Sequence, residues 1–321
     1  MQIIRDLTEA QLTGPTVLTI GTFDGLHRGH QKLIAQLMES ADRHGAKSAV
    51  IAFHPRPKAV FAPNQHNNDY LTTAEERITL FESLGLDILI SIPFTLAFAQ
   101  TTAAKFMKLL VDRLSLVELW AGHDFALGKN REGNIEKLAA LGQEFNYTVC
   151  EFAPVFIDGE IISSTNIRQL LLAGEVRRAT HLLGRYPSMS GEIVTGARRG
   201  HTIGFPTANF AVPAERLIPA NGVYATFIRG LDDEQRHASV TNIGVRPSFG
   251  GIDERIMETH IFDFEQDIYG QHYTLEFVEH LRPEKKFKSI DELVAQISRD
   301  AKQGRLLLAD EVSPMAIGNA G

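Results

Sequence analysis

The chain changes texture near residue 186, and that change limits the folds open to it more than any single motif does. Before it, short β-branched runs alternate with stripes at helical spacing. T-V-L-T-I at residues 16–20 precedes Leu33, Ile34, Leu37, Met38 and Ala41. The alternation recurs as a strand at 49–53, a helix at 74–84, a strand at 87–92, a helix at 102–114 and a strand at 116–121. Strands alternating with helices across short connections predict a Rossmann-like α/β domain: a parallel sheet covered on both faces, with ligand sites at the carboxyl ends of its strands. A helix from Ser164-Thr165 through Leu172 closes this half, and Gly184-Arg185-Tyr186-Pro187-Ser188 reads as a connection. Beyond it, glycine-punctuated segments alternate with period two at 191–195, 223–228, 239–243, 255–262 and 273–278, the pattern of a mainly-β barrel or sandwich. Ser289 and Glu292 form a capping-box pattern ahead of Leu293, Val294 and Ile297, which predicts a C-terminal helix. The 321 residues thus divide into domains over 1–185 and 186–310 and a loose tail over 311–321.

Composition narrows the function. Lys and Arg number 32 against 39 Asp and Glu, a net charge of −7, so no overall positive field draws nucleic acid to the chain. Cys150 is the one cysteine, which excludes an internal disulfide framework and a multi-cysteine zinc site and fits a reducing compartment. The longest nearly apolar run, residues 88–99, is interrupted by Ser91, Pro93 and Thr95 and falls short of the roughly 20 residues that span a bilayer. No secretory signal pattern opens the sequence. The expectation is a soluble cytoplasmic protein with neither membrane nor nucleic acid as partner.

The sharpest local feature is G-T-F-D-G-L-H-R-G-H at residues 21–30, a turn from the first strand into the first helix. Free backbone N–H groups and the positive end of a helix dipole meet at such a turn, which favours phosphate. Gly21, Gly25 and Gly29 remove side chains where a ligand must approach the backbone. With a helix starting near Gly25, His27 and His30 share a face and both can donate to one polyphosphate. The plainer alternative is an Asp-Gly turn capped by Asp24 with two incidental histidines.

This string resembles the H-x-G-H motif of the nucleotidyltransferase superfamily, in the G-x-F-D-G-x-H-x-G-H form of bacterial FAD synthetases. I-S-S-T-N-I-R at 162–168 is similar to that family's I-S-S-T-x-I-R motif, and G-H-D-F-A-L-G at 122–128 to its G-x-D-F-x-x-G loop. The resemblance implies a nucleotidyltransferase domain over 1–185. Its ATP phosphates would be held by Gly21, Phe23, Asp24, Gly25, Gly29, Ser164 and Thr165, with His27, His30 and Arg168 as catalytic residues. Asp124 would lie in the nucleotide and flavin crevice. Phe53-His54-Pro55, at another strand end, reads equally as a border of the flavin site or as a turn with a satisfied histidine. Ala126-Leu127 stand where the family usually has Arg-Phe, and Thr22 where it often has Asn.

In the second half, G-A-R-R-G-H-T-I-G-F-P-T-A-N-F at 196–210 places glycines and a basic pair ahead of Thr207 and Asn209. Gly196, Arg198, Arg199 and Gly204 suit a phosphate-cradling loop. Thr207 and Asn209 alternate onto one side of an extended segment, so an oxygen of each can reach one Mg²⁺. G-F-P-T-A-N closely resembles the riboflavin kinase motif. P-A-N-G-V-Y at 219–224, N-I-G-V-R-P-S at 242–248, M-E-T-H-I-F-D-F at 257–264 and D-I-Y-G at 267–270 follow in that family's order, with Ser248 for the usual Thr. The resemblance implies a riboflavin kinase barrel over 186–310, in which Thr207 and Asn209 bind Mg²⁺–ATP and Glu258 is the catalytic base. Riboflavin and ATP are then substrates, FMN the intermediate and FAD the product. A tRNA-acting enzyme of the H-x-G-H superfamily would share the first motif, but the acidic balance and the kinase-like second half count against it. A non-catalytic flavin sensor would need no Glu258.

Overall fold

The β-branched runs of the first half pair as their alternation predicts. The computed structural model describes residues 1–8, 10–62, 69–196, 203–231, 235–246 and 254–311. Strands β1 (Gln2–Ile4), β2 (Thr16–Gly21), β3 (Lys47–Phe53), β4 (Ile88–Ile92), β5 (Leu116–Gly122) and β6 (Thr148–Phe152) form one sheet in the order β1-β4-β3-β2-β5-β6. Every pair is parallel. The connections carry helices α1 (Arg28–His44), α2 (Pro57–Phe61), α3 (Ala74–Ser83), α4 (Ala103–Leu114) and α5 (Ile135–Phe145). Strand periodicity decides which helix covers which face. Ala49, Ile51 and Phe53 of β3 pack in a cluster with Met107 and Leu110 of α4 and Leu138 of α5. Val50 and Ala52 pack with Ile34 of α1 and Phe81 of α3. From β2 the chain builds outward through β3 and β4 on one side and later through β5 and β6 on the other. The crevice at the carboxyl ends of β2 and β5 is thus the topological switch point.

Sequence reading places neither β1 nor the pair α5 and β6. The α5 segment buries only Leu138, Leu141 and Gly142, and T-V-C-E-F has no fully buried position. A short hairpin, β7 (Phe156–Ile157) and β8 (Glu160–Ile161), leads to α6 (Ser164–Leu172).

Chain contacts divide the molecule between Ser164 and Thr165, earlier than the connection near 186. The reason is packing within the second unit: α6 and α7 (Val176–Leu183) sit on the barrel. The Ala220 N–H donates to the Leu171 carbonyl (2.9 Å), and the Arg177 guanidinium pairs with Glu279. The barrel closes in the order β10-β13-β12-β11-β14-β9, from β9 (Ser188–Val194), β10 (Ala208–Ala211), β11 (Gly222–Gly230), β12 (His237–Arg246), β13 (Glu254–Ile261) and β14 (His272–Arg282), antiparallel throughout. Its interior holds Tyr224, Phe277 and Ile243 beside a ladder of fully buried hydroxyls. Thr226 bonds Ser239 and Thr241, and Thr241 bonds Thr259, each at 2.8 Å, so each buried polar group has a partner.

Helix α8 (Ile290–Ala309) covers part of the outer face, with Ala301 and Leu308 against Val240 and Phe262. Ser289 caps it by accepting the Glu292 N–H (3.2 Å), but the Glu292 carboxylate accepts from Lys288 N–H, so only half of the expected capping box forms. Glu311 is not loose as expected: Arg177 Nη2 and Tyr186 Oη both donate to its carboxylate at 2.6 Å, which lowers its pKa despite burial. The rest of the expected tail, 312–321, lies outside the described residues. No helix among the described residues is long and apolar enough to cross a membrane.

Asp300, 4% exposed, holds α8 to the end of β14: Arg282 donates to it from Nε (3.0 and 3.1 Å) and Nη2 (2.8 Å), and Gln296 adds a bond of 2.8 Å. Asp300→Ala removes one side of this pair and is expected to destabilise the chain by about 3 kcal/mol in urea unfolding; a change below about 0.5 kcal/mol would contradict that role.

Candidate functional sites

The loop after β2 is built around a buried carboxylate. Phe23 (φ 48°), Gly25 (φ 79°) and Leu26 (φ 36°) take left-handed backbone, which costs about 1–3 kcal/mol at each non-glycine residue. Asp24 holds that conformation. It is 1% exposed and accepts from Leu71 N–H (3.0 and 3.2 Å), Thr72 N–H (3.1 Å) and Thr72 Oγ1 (3.2 Å), with Arg56 Nη1 at 3.5 Å. Thr72 Oγ1 also accepts the Gly25 N–H (3.1 Å). Arg56 is itself buried, pairs with Asp69 and lies 4.5 Å over the Tyr70 ring. The carboxylate of Asp24 is therefore engaged by the protein, a correction to its expected place among the phosphate contacts.

The glycines of the motif also meet protein first. A Cβ at Gly21 would lie 2.9 Å from the Phe23 ring, one at Gly25 would lie 2.7 Å from Leu71, and one at Gly29 would lie 3.2 Å from His27 Nδ1. Gly25 needs glycine twice over, for its φ and for Leu71.

Helix α1 begins at Arg28 and not near Gly25, so His27 is its N-cap. His27 Nδ1 accepts the His30 N–H (3.3 Å), which leaves the neutral ring's proton on Nε2. The two imidazoles stack at 3.6 Å with planes 15° apart, and Phe23 packs edge-on to His30. The histidines are thus brought together by a cap and a stack, at the positive end of α1. Ser164 joins them: its Oγ donates to the Asp24 carbonyl (2.8 Å). Thr165 and Arg168 follow on α6, beyond the division between the units.

Arg77, 3% exposed, braces the loop from α3 by donating to the Thr22 carbonyl (2.7 Å) and reaching His54 Nδ1 (2.9 Å). Sequence reading missed Arg56, Thr72 and Arg77, because their partners in the loop after β2 lie 32 to 55 residues away and no local spacing marks them. Across the crevice, Gly128 (φ 78°) turns the loop after β5 against the start of α4, where a Cβ would lie 2.6 Å from Ala103 N. Asp124 is exposed there, and its carbonyl accepts from Arg131 (3.1 Å). Beside it, the Glu151 carboxylate bonded to His123 raises that imidazole above its ordinary value.

At the carboxyl ends of β3 and β4 is an aromatic cluster. Phe53 and Phe61 each meet Phe94 edge-on, Phe98 joins Phe53 and Phe94, and Phe61 is 62% exposed. A groove of about 570 Å³, with Ile92, Phe98, Phe106 and Leu109 among its walls, adjoins it.

In the barrel, register sets the second site. Glu258 of β13 lies directly opposite Asn209 of β10 on one side and Asn242 of β12 on the other. Opposite residues share a face, so the three form a row across three strands, all half-buried. Val240 and Phe262, on that same face, pack under α8, which identifies it as the outer face. Thr207, half-buried, lies just before β10, two residues ahead of Asn209. Gly196 lies against the Asn209 amide, 2.2 Å from where its Cβ would be. Gly204 takes φ 83° in an exposed turn, and His260 Nδ1 meets the Pro206 carbonyl (2.9 Å), tying this segment to β13. Arg198, Arg199 and Ser248 lie outside the described residues. The P-A-N-G-V-Y segment is fastened from within: Tyr224 Oη donates to the Ala220 carbonyl (2.6 Å), and Arg255 donates to the carbonyls of Ile218 (3.1 Å) and Pro219. Burial pushes the Tyr224 phenol up to about 12. Among the described residues no group of three His, Cys, Asp or Glu side chains could hold a metal.

A family model described as FAD synthetase matches residues 9–166, and one described as riboflavin kinase matches residues 183–308. The bifunctional riboflavin kinase/FMN adenylyltransferase of Escherichia coli (strain K12) is 38% identical over 304 residues, 94% of this chain and 95% of that protein. The protein of the same name from Listeria monocytogenes is 34% identical over 294 residues, 91% of this chain and 92% of its own. A crystal structure titled as a macrolide-efflux protein from Streptococcus pneumoniae superposes with a TM-score of 0.86 at 30% identity, covering 94% of this chain and 98% of that one.

Replacing Asp24 by alanine strands the Leu71 and Thr72 N–H groups and takes one of two carboxylates from the buried Arg56, and is expected to cost about 3 kcal/mol or more in urea unfolding. A stability unchanged within about 0.5 kcal/mol would contradict the anchoring role of the carboxylate.

Proposed function

The chain belongs to the bifunctional riboflavin kinase/FMN adenylyltransferase family, and we propose how its residues divide the two reactions. It carries an N-terminal FAD synthetase domain and a C-terminal riboflavin kinase domain, and turns riboflavin into FMN and FMN into FAD. The observation that carries the division is the placement of carboxylates. The barrel has Glu258 in register at the centre of a polar row, whereas the carboxylate of the N-terminal loop, Asp24, is buried and bonded to protein.

Riboflavin's terminal ribityl hydroxyl is neutral, so transferring a phosphoryl group to it calls for a base. Glu258 takes that proton while the hydroxyl oxygen attacks the γ-phosphorus, the bond to the β-phosphate oxygen breaks and ADP leaves. Thr207 and Asn209 offer a hydroxyl and an amide oxygen on one side of an extended segment, beside a carboxylate. That set of hard oxygen donors fits Mg²⁺ bound together with nucleotide phosphates and water. When bound, Mg²⁺ neutralises the charge of the transferring phosphate. Gly196, Gly204 and Arg198 complete the nucleotide loop.

FMN arrives with its nucleophile ready. A phosphate ester's second pKa is about 6, so the group is mostly dianionic near neutral pH and attacks the α-phosphorus of ATP without a base. The bond to the β-phosphate breaks and pyrophosphate leaves. This step needs positive charge and donors: His27 and His30 at the start of α1, the hydroxyls of Ser164 and Thr165, and the Arg168 guanidinium. Gly21, Phe23, Gly25 and Gly29 shape the loop that these phosphates meet, and Asp24 holds it. The flavin ring stacks on the aromatic cluster around Phe61 and Phe94 and extends along its groove, with Asp124 bordering the crevice. Functionally the domains run over 1–185 and 186–310, and the single cysteine fits a cytoplasmic protein.

Glu258→Gln is expected to lower FMN formation from riboflavin by about 10²–10⁴-fold while FMN is still converted to FAD, followed by chromatography of the products. His30→Ala is expected to do the reverse, with a loss of about 10²-fold or more in FAD formation. Loss of both activities in either folded variant would contradict the division.

A further inference from the structure

The row through Glu258 has two sides, and they differ chemically. On the β10 side stand Thr207 and Asn209, uncharged oxygen donors. On the β12 side stands Asn242, and next along that strand comes Gly244, where the missing side chain is replaced by a carboxylate. A Cβ at Gly244 would lie 2.8 Å from Glu284 Oε1 and 3.4 Å from Asn242 Nδ2. Glu284 reaches this point from just past the end of β14, where Arg282 is fixed by Asp300. Its other oxygen accepts from Asn221 Nδ2 (3.3 Å), and Asn221 in turn accepts from Arg255 (2.8 Å). Among the described residues the half-buried Asn242 amide has no side-chain hydrogen-bond partner.

We propose that Asn242 and Glu284 bind the ribityl hydroxyls of riboflavin, on the side of Glu258 away from the nucleotide. The assignment rests on the kinase reading and deepens it. Glu284 puts a second carboxylate on this side of Glu258, which repels a triphosphate, so this side of the row belongs to the uncharged substrate. Neighbouring alcohols both donate and accept, which matches an amide beside a carboxylate. The geometry follows the strand: the positions of Asn242 and Gly244 are about 6.7 Å apart at ~3.3 Å per residue, and Glu258 is one strand spacing, about 4.8 Å, to the side. A polyol lying along β12 therefore bonds Glu284 and Asn242 with its inner hydroxyls and presents its terminal one to Glu258. Gly244 is required because any side chain there occupies the space of the Glu284 carboxylate.

The test is steady-state kinetics of the full chain with riboflavin and with a flavin whose N10 substituent is an ω-hydroxyalkyl chain lacking the inner hydroxyls. Asn242→Ala and Glu284→Ala are each expected to raise KM for riboflavin by about tenfold. KM for ATP and the adenylylation of FMN should stay within twofold. Gly244→Ala should resemble Glu284→Ala. With the trimmed flavin, the wild-type chain should already show the weakened KM and the variants should lose nothing more. Equal losses on both flavins, or a KM for ATP that rises as much as that for riboflavin, would overturn the assignment. If the wild-type chain formed no FMN from riboflavin at all, the kinase reading would fail and take the assignment with it.

Discussion

The carboxylate of Asp24 turns an unfavourable loop into a fixed surface. Phe23 and Leu26 are held in left-handed backbone that neither residue favours, and the loop has no regular partner strand. What restores the balance is one buried acceptor that gathers two amides, a hydroxyl and a guanidinium from a segment 32 to 48 residues away. The stacked histidines, the start of α1 and the Ser164 hydroxyl all take their positions from that loop. An aspartate that looks like a ligand contact in the sequence is thereby the part that positions the others.

The barrel solves a different problem. Phosphoryl transfer to an alcohol needs a base, a phosphate holder and an acceptor pocket within a few ångströms of one another, and the proposed division draws that spacing from antiparallel register. Asn209, Glu258 and Asn242 come from three strands, and a slip of one residue in either pairing would turn a member of the row into the hydroxyl-filled interior. The buried ladder from Thr226 to Thr259 crosses β11, β12 and β13, the last two being strands of the row. Its satisfied hydroxyls favour the observed register, since a shifted one would leave them unpaired.

Much of this was legible in the residues themselves. Alternation of β-branched runs with helical stripes sufficed for the parallel sheet, because β2 to β5 are buried enough to leave strong periodicity. The motif from Gly21 to His30 does fall at the carboxyl end of β2, and Asn209 of G-F-P-T-A-N does lie opposite Glu258. The failures have physical causes. Helix α5 and strand β6 show too little burial to be read, and a helix starting at Gly25 was ruled out by left-handed backbone that only the fold imposes. The glycines of the first motif also make room within the protein, for Phe23, Leu71 and His27. Arg56, Thr72, Arg77 and Glu284 make contacts that no short spacing announces, and only strand register sets Asn242 beside Glu258.

The proposed division gives one chain two chemically distinct transfer sites, one with a base and one without. Chromatography of a reaction containing the purified full chain, ATP, Mg²⁺ and riboflavin, repeated with FMN in place of riboflavin, tests it most directly. FMN and FAD are expected from the first mixture and FAD from the second. A folded chain that binds nucleotide but yields neither product from either mixture would contradict it.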